Sequence, residues 1–392
     1  MERRMSQAFD ASKSLANLKQ DRTLIVVIEM SQSKWLVAAV APGLKRQPLK
    51  KLDPDAEALL KLLHRWRSEV SQAGYEIERI VVAYESGRDG FWLARYLHAY
   101  GVEAYVIHAS SVAVSREHRR AKTDRLDTEL LMRAFVGWLR GEKRHCSMVA
   151  IPTLDEEDAR RPTREREALV GEQTRLINRM KSILVRFGIR SFNPTLRKAA
   201  DKLNAICTVE GTPLPENTRA ELRRHFERLS LLRQQIRAIE QERLCKLAAS
   251  PAGNGAYAMV GHLTQVVGIG IETADMLVHE VLSRNLRDRR AVARYAGLTG
   301  SPDESGQRRR EKGLGRSGNA RVRRGMIQLA WRFLLFQKQS ALAQWFRERT
   351  ADGRGGTRKT MIVALARKLL IALWRLVTAG ETPEGVILRS AS

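Results

Sequence analysis

The spacing of hydrophobic positions changes along the chain, and each change marks an element. Leu24–Ile28 is a short apolar run rich in β-branched residues, and Trp35–Val40 is a second, with a polar turn at Ser31–Ser33 between them. Two such runs across a short polar break predict an antiparallel hairpin. From Ala56 to Ala73 the period lengthens, with Leu59, Leu62, Leu63 and Trp66 at helical spacing. Ile80–Tyr84 reads as a buried strand ending at Glu85. Gly87 and Gly90 follow, then a helix through Tyr100, then another buried strand at Ala104–Ile107. From about Thr123 to Leu139, Leu126, Leu130, Leu131 and Ala134 lie on one side of a helix. Strands followed by a helix predict one α/β mixed-sheet domain over residues 21–150.

Thr153–Thr163 is polar and acidic, flanked or interrupted by Pro152 and Pro162, and reads as a linker. Beyond it the pattern is helical. Leu169, Leu176 and Ile183 recur every seven residues, as do Met180 and Phe187. After a break marked by Gly188, Pro194, Gly211, Pro213 and Pro215, Leu222, Leu229 and Ile236 repeat the heptad, with Leu232 and Ile239 between them. Residues 164–250 are therefore a helical pair or coiled-coil arm suited to dimerisation; an ordinary helical-bundle core is the alternative. Residues 251–392 form a third region, mainly α-helical, punctuated by glycine and strongly basic. It ends in a long helix over Thr357–Val377, whose apolar run is interrupted by Arg and Lys at helical spacing. Such a helix either packs in a core or lies on a membrane surface, and core packing is the preferred reading.

Charge narrows the class of partner. The 392 residues hold 69 Lys and Arg against 43 Asp and Glu, a net charge of +26. That excess repels itself in a lone globule and is relieved beside a polyanion, where each cation at a phosphate releases a counterion. Cys146, Cys207 and Cys245 are widely separated, which excludes a disulfide framework or a CxxC zinc site and fits a reducing cytoplasm. No secretory signal, membrane-spanning run, internal repeat, Walker loop or Rossmann fingerprint is present.

Four acids stand where a metal site can be assembled. Glu29 and Glu85 end strands, and Asp124 and Asp127 lie three apart on one face of a helix start. Phosphodiester chemistry uses hard divalent cations held by carboxylate oxygens. Each acid also has a plainer reading, as a helix N-terminal charge or a solvated strand end.

The segments Ile28–Lys34 (IEMSQSK), Tyr84–Gly87 (YESG) and Ala121–Asp127 (AKTDRLD) resemble the motifs of the DEDD transposases of bacterial insertion sequences, the group guided by a bridge RNA. The resemblance implies a RuvC-like, RNase H-type fold for residues 21–150. It implies Mg2+ or Mn2+ held by Glu29, Glu85, Asp124 and Asp127, which would be catalytic. Glu29 departs from the family pattern, which has Asp there.

A second set lies in the third region. Val266–Gly270 (VVGIG) followed by Thr273–Val281 reads as a helix-hairpin-helix-like element, in which Gly268 and Gly270 would let backbone N–H groups approach a phosphate; a plain connector between helices is the alternative. Tyr295–Gly306 (YAGLTGSPDESG) and Gly313–Arg324 (GLGRSGNARVRR) resemble the same family's C-terminal motif. The resemblance makes Ser305, directly before Gly306, the nucleophile of a DNA transposase or recombinase that forms a phosphoserine link. Arg308, Arg309, Arg310, Lys312, Arg316, Arg321, Arg323 and Arg324 surround it in sequence, and guanidinium groups clamp phosphate oxygens. With Lys122 and Arg125 beside the carboxylates, they are the candidate nucleic-acid contacts. The plainer reading of Ser305 is a turn serine in a basic DNA-binding loop; Ser301 and Ser317 lie nearby but off the matching position. The family resemblance further implies DNA ends and target, a guide RNA, a dimer or tetramer, no membrane, and a cytoplasmic, nucleoid-associated location. Two rivals remain: a metal-dependent Holliday-junction-type nuclease without covalent intermediate, and a non-catalytic nucleic-acid-binding protein.

Overall fold

A computed structural model describes residues 18–87, 90–112, 124–142, 145–249, 255–305, 308–315 and 317–389. The chain divides into two compact units, residues 1–153 and 154–392. The first is a six-stranded mixed sheet in the order β3-β2-β1-β4-β5-β6. β1 (Thr23–Met30) and β2 (Trp35–Val40) form the expected antiparallel hairpin, extended by β3 (Leu49–Leu52). β4 (Arg79–Glu85) and β5 (Glu103–Ile107) run parallel to β1, and β6 (Met148–Val149) closes the far edge antiparallel to β5. β3 and β6 were not expected; β3 is LKKL on an edge and β6 is two residues long, so neither carries a readable apolar run.

The sheet is covered on both faces. α1 (Ala56–Gln72) and α2 (Trp92–Ala99) pack on Leu24, Val26, Ile28, Val82 and Tyr84. The Asp55 side chain accepts from the Glu57 N–H and caps α1. α3 (Asp124–Leu139) covers the opposite face, with Leu131, Ala134, Phe135 and Trp138 against Ile25, Val27, Val81 and Ala83. Cys146 is buried under α3 and points its thiol at the Ala134 carbonyl; burial pushes its pKa up to about 11, which makes it an unreactive core residue.

In the second unit the acidic segment expected as a linker is helical: α4 (Leu154–Asp158) is followed by α5 (Arg161–Val185). Pro162 does not break the helix, because it sits in the first turn of α5, where its missing N–H costs nothing. α5 packs antiparallel on α6 (Glu216–Ala249), which at 34 residues is about 51 Å long. On α6 the buried positions Leu222, Leu229, Ile236 and Arg243 keep a seven-residue spacing, so the last place on the seam is a cation. α7 (Ala256–Gln265), α8 (Ile271–Leu277), α9 (Arg289–Tyr295), α10 (Ala320–Phe336), α11 (Ala341–Arg349) and α12 (Gly355–Ala379) build one core. α12 buries Ile362, Leu365, Ala366, Leu369, Leu370, Leu373 and Leu376 in it, as core packing requires. No described helix is long and apolar enough to cross a membrane.

This region is not wholly helical. β7 (Gly300–Ser305) and β8 (Arg308–Leu314) form an antiparallel hairpin. Its foot is set by Gly297 and Gly318, both with positive φ; a Cβ on Gly318 would lie 2.5 Å from the Gly297 nitrogen.

A buried ion-pair network ties α5 and α6 to this core. Glu280, in a π-helical turn after α8, is 1% exposed and accepts from both Arg164 (2.9 and 3.1 Å) and Asn319 (2.9 Å), with Arg321 at 3.5 Å. Asp275 receives Thr163 at 2.8 Å and Arg243 at 3.1 Å. Burial alone would raise both carboxyls. The opposing partners outweigh it: Arg164, Asn319 and Arg321 at Glu280, and His279, Arg243 and Thr163 at Asp275. Both acids are therefore held below their ordinary values of 4.5 and 3.8.

Removing one partner from such a network leaves buried charge uncompensated. Glu280→Ala should destabilise the second unit by about 3 kcal/mol, read as a shift in its urea midpoint at constant slope. Because both folded pKa values are depressed, the stabilisation is complete above the unfolded values and is lost as pH falls through the folded ones. Thermal melts should show stability falling steeply below about pH 4.5; Glu280→Gln should lower the plateau and flatten that acid limb.

Candidate active site

On a strand, successive side chains point to opposite faces. In β1, Leu24, Val26 and Ile28 face α1 and α2, whereas Ile25 and Val27 face α3. Glu29 continues the second series. In β4, Val81 and Ala83 face α3, and Glu85 continues that series. The strands are parallel with Ile28 opposite Tyr84, so Glu29 and Glu85 are one step further along neighbouring strands. Their backbones are about 4.8 Å apart at the same edge, and both side chains leave on the α3 face. Glu29 is half-buried and Glu85 is exposed.

α3 delivers its first turns to that edge. Arg140, just past its C-terminal end, donates to the Gln20 side chain ahead of β1 at 3.0 Å. α3 thus runs antiparallel to β1. Its 16 residues span about 24 Å and the 8 residues of β1 about 26 Å, so the start of α3 lies over the strand ends. Asp127 precedes Leu131 by four residues and Ala134 by seven, which places it on the stripe facing the sheet. It is half-buried, and its neighbour Thr128 is 1% exposed. Asp124 opens the helix; its side chain, like Lys122 as a whole, lies outside the described residues. Arg125 is exposed and pairs with Glu129 at 3.3 Å.

Carboxylate oxygens arriving from two strand ends and a helix start are a donor set for a hard cation such as Mg2+ or Mn2+. Among the described residues no group of three His, Cys, Asp or Glu side chains is close enough to hold a metal, and the Asp124 carboxylate is not among those described. Beside α3 a cleft of about 570 Å³ opens along the edge formed by β2 and β3, lined by Arg125, Glu129 and Arg133.

The segment Val266–Gly270 joins α7 to α8. Gly268 has φ +98°, and a Cβ there would meet Phe336 at 3.1 Å, so this position needs glycine. Gly270 caps α8. The turn is engaged internally, because the Val267 N–H donates to Ile387 and the Val267 carbonyl accepts from the buried Gln337. Ser305 pairs with Arg308 across the closed end of the β7–β8 hairpin, so it stands at the tip of a ladder that starts at Gly300 and Leu314. Arg309 and Arg310 lie opposite Glu304 and Asp303 in the same register. The side chains of Ser305, Arg308, Arg309, Arg310 and Lys312, and the whole of Arg316, lie outside the described residues.

The remaining arginines differ in what they can offer a phosphate. Arg321 is bound to Glu167 and Glu280, so its charge is neutralised within the protein. Arg324 shares Glu167 at 2.6 Å but is largely exposed, and Arg323 donates to the Ser317 carbonyl at 3.0 Å. A set of cations missed in the sequence lies on α12, where Lys359, Arg367 and Arg375 recur every eighth residue and line a groove with Arg289 and Arg290. Their signal was the interruption of the terminal apolar run at helical spacing.

Two family models match the chain. Residues 26–189 match the DEDD transposase family model of IS110 type, and residues 260–364 match the transposase IS116/IS110/IS902 family. The chain is 41% identical over 378 residues to "Putative transposase y4rJ" of Sinorhizobium fredii, covering 94% of this chain and 95% of that one. It is 25% identical over 306 residues to "Transposase for insertion sequence element IS1328" of Yersinia enterocolitica, covering 76% and 84%. With relatedness running along nearly its whole length, the chain belongs to the IS110 family of insertion-sequence transposases.

Proposed function

We propose that the chain cuts and rejoins the DNA of an insertion sequence through two sites. Glu29, Glu85, Asp124 and Asp127 form a RuvC-like site for Mg2+ or Mn2+, and Ser305 is a nucleophile. The observation that carries the first half is the shared face of Glu29, Glu85 and Asp127, at the sheet edge where α3 begins. The DEDD description of the matching family model supports the same carboxylates. A bound divalent cation would supply electrophilic stabilisation of a phosphate oxygen and lower the pKa of an attacking or leaving oxygen. The four acids would hold and orient it, and the half-buried setting of Glu29 and Asp127 would strengthen their field.

Ser305 is supported by its place at the closed end of a two-stranded, cation-rich hairpin. Its hydroxyl gives its proton to water or a neighbouring base while Oγ forms a bond to phosphorus. The bond from phosphorus to one deoxyribose oxygen breaks, and that oxygen leaves with a proton. An incoming strand hydroxyl then attacks the same phosphorus and returns the serine. A guide RNA that selects the target by base pairing, and a dimer or tetramer that brings both sites to one DNA, complete the reading. The carboxylate-only reading is favoured by the family description, which refers to acids and not to serine; it predicts cleavage without a protein–DNA link.

Asp127→Asn and Glu85→Gln should each lower Mg2+-dependent strand cleavage by roughly two to three orders of magnitude while leaving the melting temperature unchanged. Normal cleavage by both variants would sink the carboxylate site. Wild-type protein incubated with element-end DNA, its RNA and Mg2+ should yield a denaturation-resistant protein–DNA band. Ser305→Ala should abolish that band; its persistence would move the nucleophile elsewhere.

A further inference from the structure

In the second unit a groove of about 1190 Å³ lies between α9, α12, the foot of the β7–β8 hairpin and residues 381–384. Its floor is apolar, from Leu298, Val363, Ala364 and Ile371. Cations line it: Arg289 and Arg290 from α9, and Lys359, Arg367 and Arg375 from successive positions around α12, all exposed. Arg375 lies 3.7 Å from Glu381, and Glu381 and Glu384 are the two acids in the lining. The other four pair with no carboxylate among the described residues. At the junction of α5 and α6 with the core, by contrast, Arg164, Arg166, Arg243, Arg321 and Arg324 are matched by acids.

Like charges gathered along one groove raise its potential and concentrate a polyanion there. Lys359 and Arg375 are 16 residues apart on α12, about 24 Å along its axis, the length of roughly seven base-pair steps at 3.4 Å each. Gly300 and Gly313 form the hairpin foot in the groove wall, and no side chain of theirs narrows it. Ser305 is five residues beyond Gly300 on β7, about 17 Å at the rise of a strand. One DNA molecule is therefore long enough to occupy the groove and reach the hairpin tip.

We infer that this groove holds the sugar-phosphate backbone of the DNA flanking the phosphate attacked by Ser305, with Lys359, Arg367 and Arg375 as its phosphate contacts. The DNA identity of the occupant rests on the serine reading above. The contacts are to backbone, so they position DNA without reading its sequence.

The test uses full-length protein carrying Lys359→Gln, Arg367→Gln and Arg375→Gln together. A control carries Lys50→Gln, Lys51→Gln and Lys61→Gln, which removes the same charge from exposed sites in the first unit. Fluorescence anisotropy with labelled element-end duplex, and with single-stranded RNA of equal length, is measured between 50 and 200 mM salt. Each lost phosphate contact flattens the slope of log affinity against log salt by about 0.9, so the groove variant should lose roughly 2 to 3 of slope for DNA. The control should keep its slope, and Arg367→Lys with Arg375→Lys should retain binding. An unchanged DNA slope in the groove variant, an equal loss in the control, or a loss confined to RNA would each overturn the proposal. The covalent-adduct assay separates it from the serine reading. Loss of DNA binding in the groove variant supports the groove even if Ser305→Ala still forms adducts. An unaltered slope overturns the groove even if Ser305→Ala abolishes them.

Discussion

Alternation of side chains across β1 and β4 is the constraint on which the N-terminal site depends. Even-numbered residues in both strands fill the layer under α1 and α2, and odd-numbered residues fill the layer under α3. Because the two strands are parallel and in register, Glu29 and Glu85 inherit the same face and the same edge. A one-residue slip of either strand would expose its core residues and send its glutamate to the opposite face. The apolar core therefore enforces the placement of the acids. α3 supplies the third position because its own buried stripe, carried back one turn from Leu131, ends in Asp127.

The large positive charge is distributed unevenly in the second unit. One set of arginines is drawn into the junction between the long helices and the C-terminal core, where Glu280, Asp275, Glu272, Glu240 and Glu167 neutralise them. There the pairs fix how α5 and α6 meet the core. Arg243 shows the logic: it occupies the position where the α6 heptad would place an apolar residue, and it meets Asp275 and Glu272 instead. Another group lines the α9–α12 groove, where Arg289, Arg290, Lys359 and Arg367 are exposed and pair with no carboxylate among the described residues. Buried pairs give specificity of packing; exposed and unmatched cations give attraction for a polyanion.

Within the first unit, most elements could be read from the chain because each carries its own period. The hairpin of β1 and β2, the strands ending at Glu85 and Ile107, and the helices over 56–72, 92–99 and 124–139 all follow local apolar spacing. The elements that escaped were those without such spacing. β3 and β6 are held by neighbouring strands rather than by their own burial. The β7–β8 hairpin is built from SPDES and RREKG-type segments, where charge hides a strand pattern. The helical identity of residues 154–163 was hidden by Pro162, which ends helices in their interior but not in their first turn.

By itself the sequence pointed to a polyanionic partner, through its net charge, and offered the acids and the serine as candidates, through its motifs. It also determined local helix and strand, because hydrophobic period is a property of neighbours in the chain. It could not assign the arginines. Arg321 and Arg367 are alike as residues in basic segments, yet one is neutralised by Glu167 and Glu280 and the other faces solvent in a groove. That difference depends on which carboxylates are brought within a few ångströms from far along the chain, 154 residues away for Glu167 and 41 for Glu280. Only tertiary structure decides it, because the strength of a charge is set by its partners and its exposure to water.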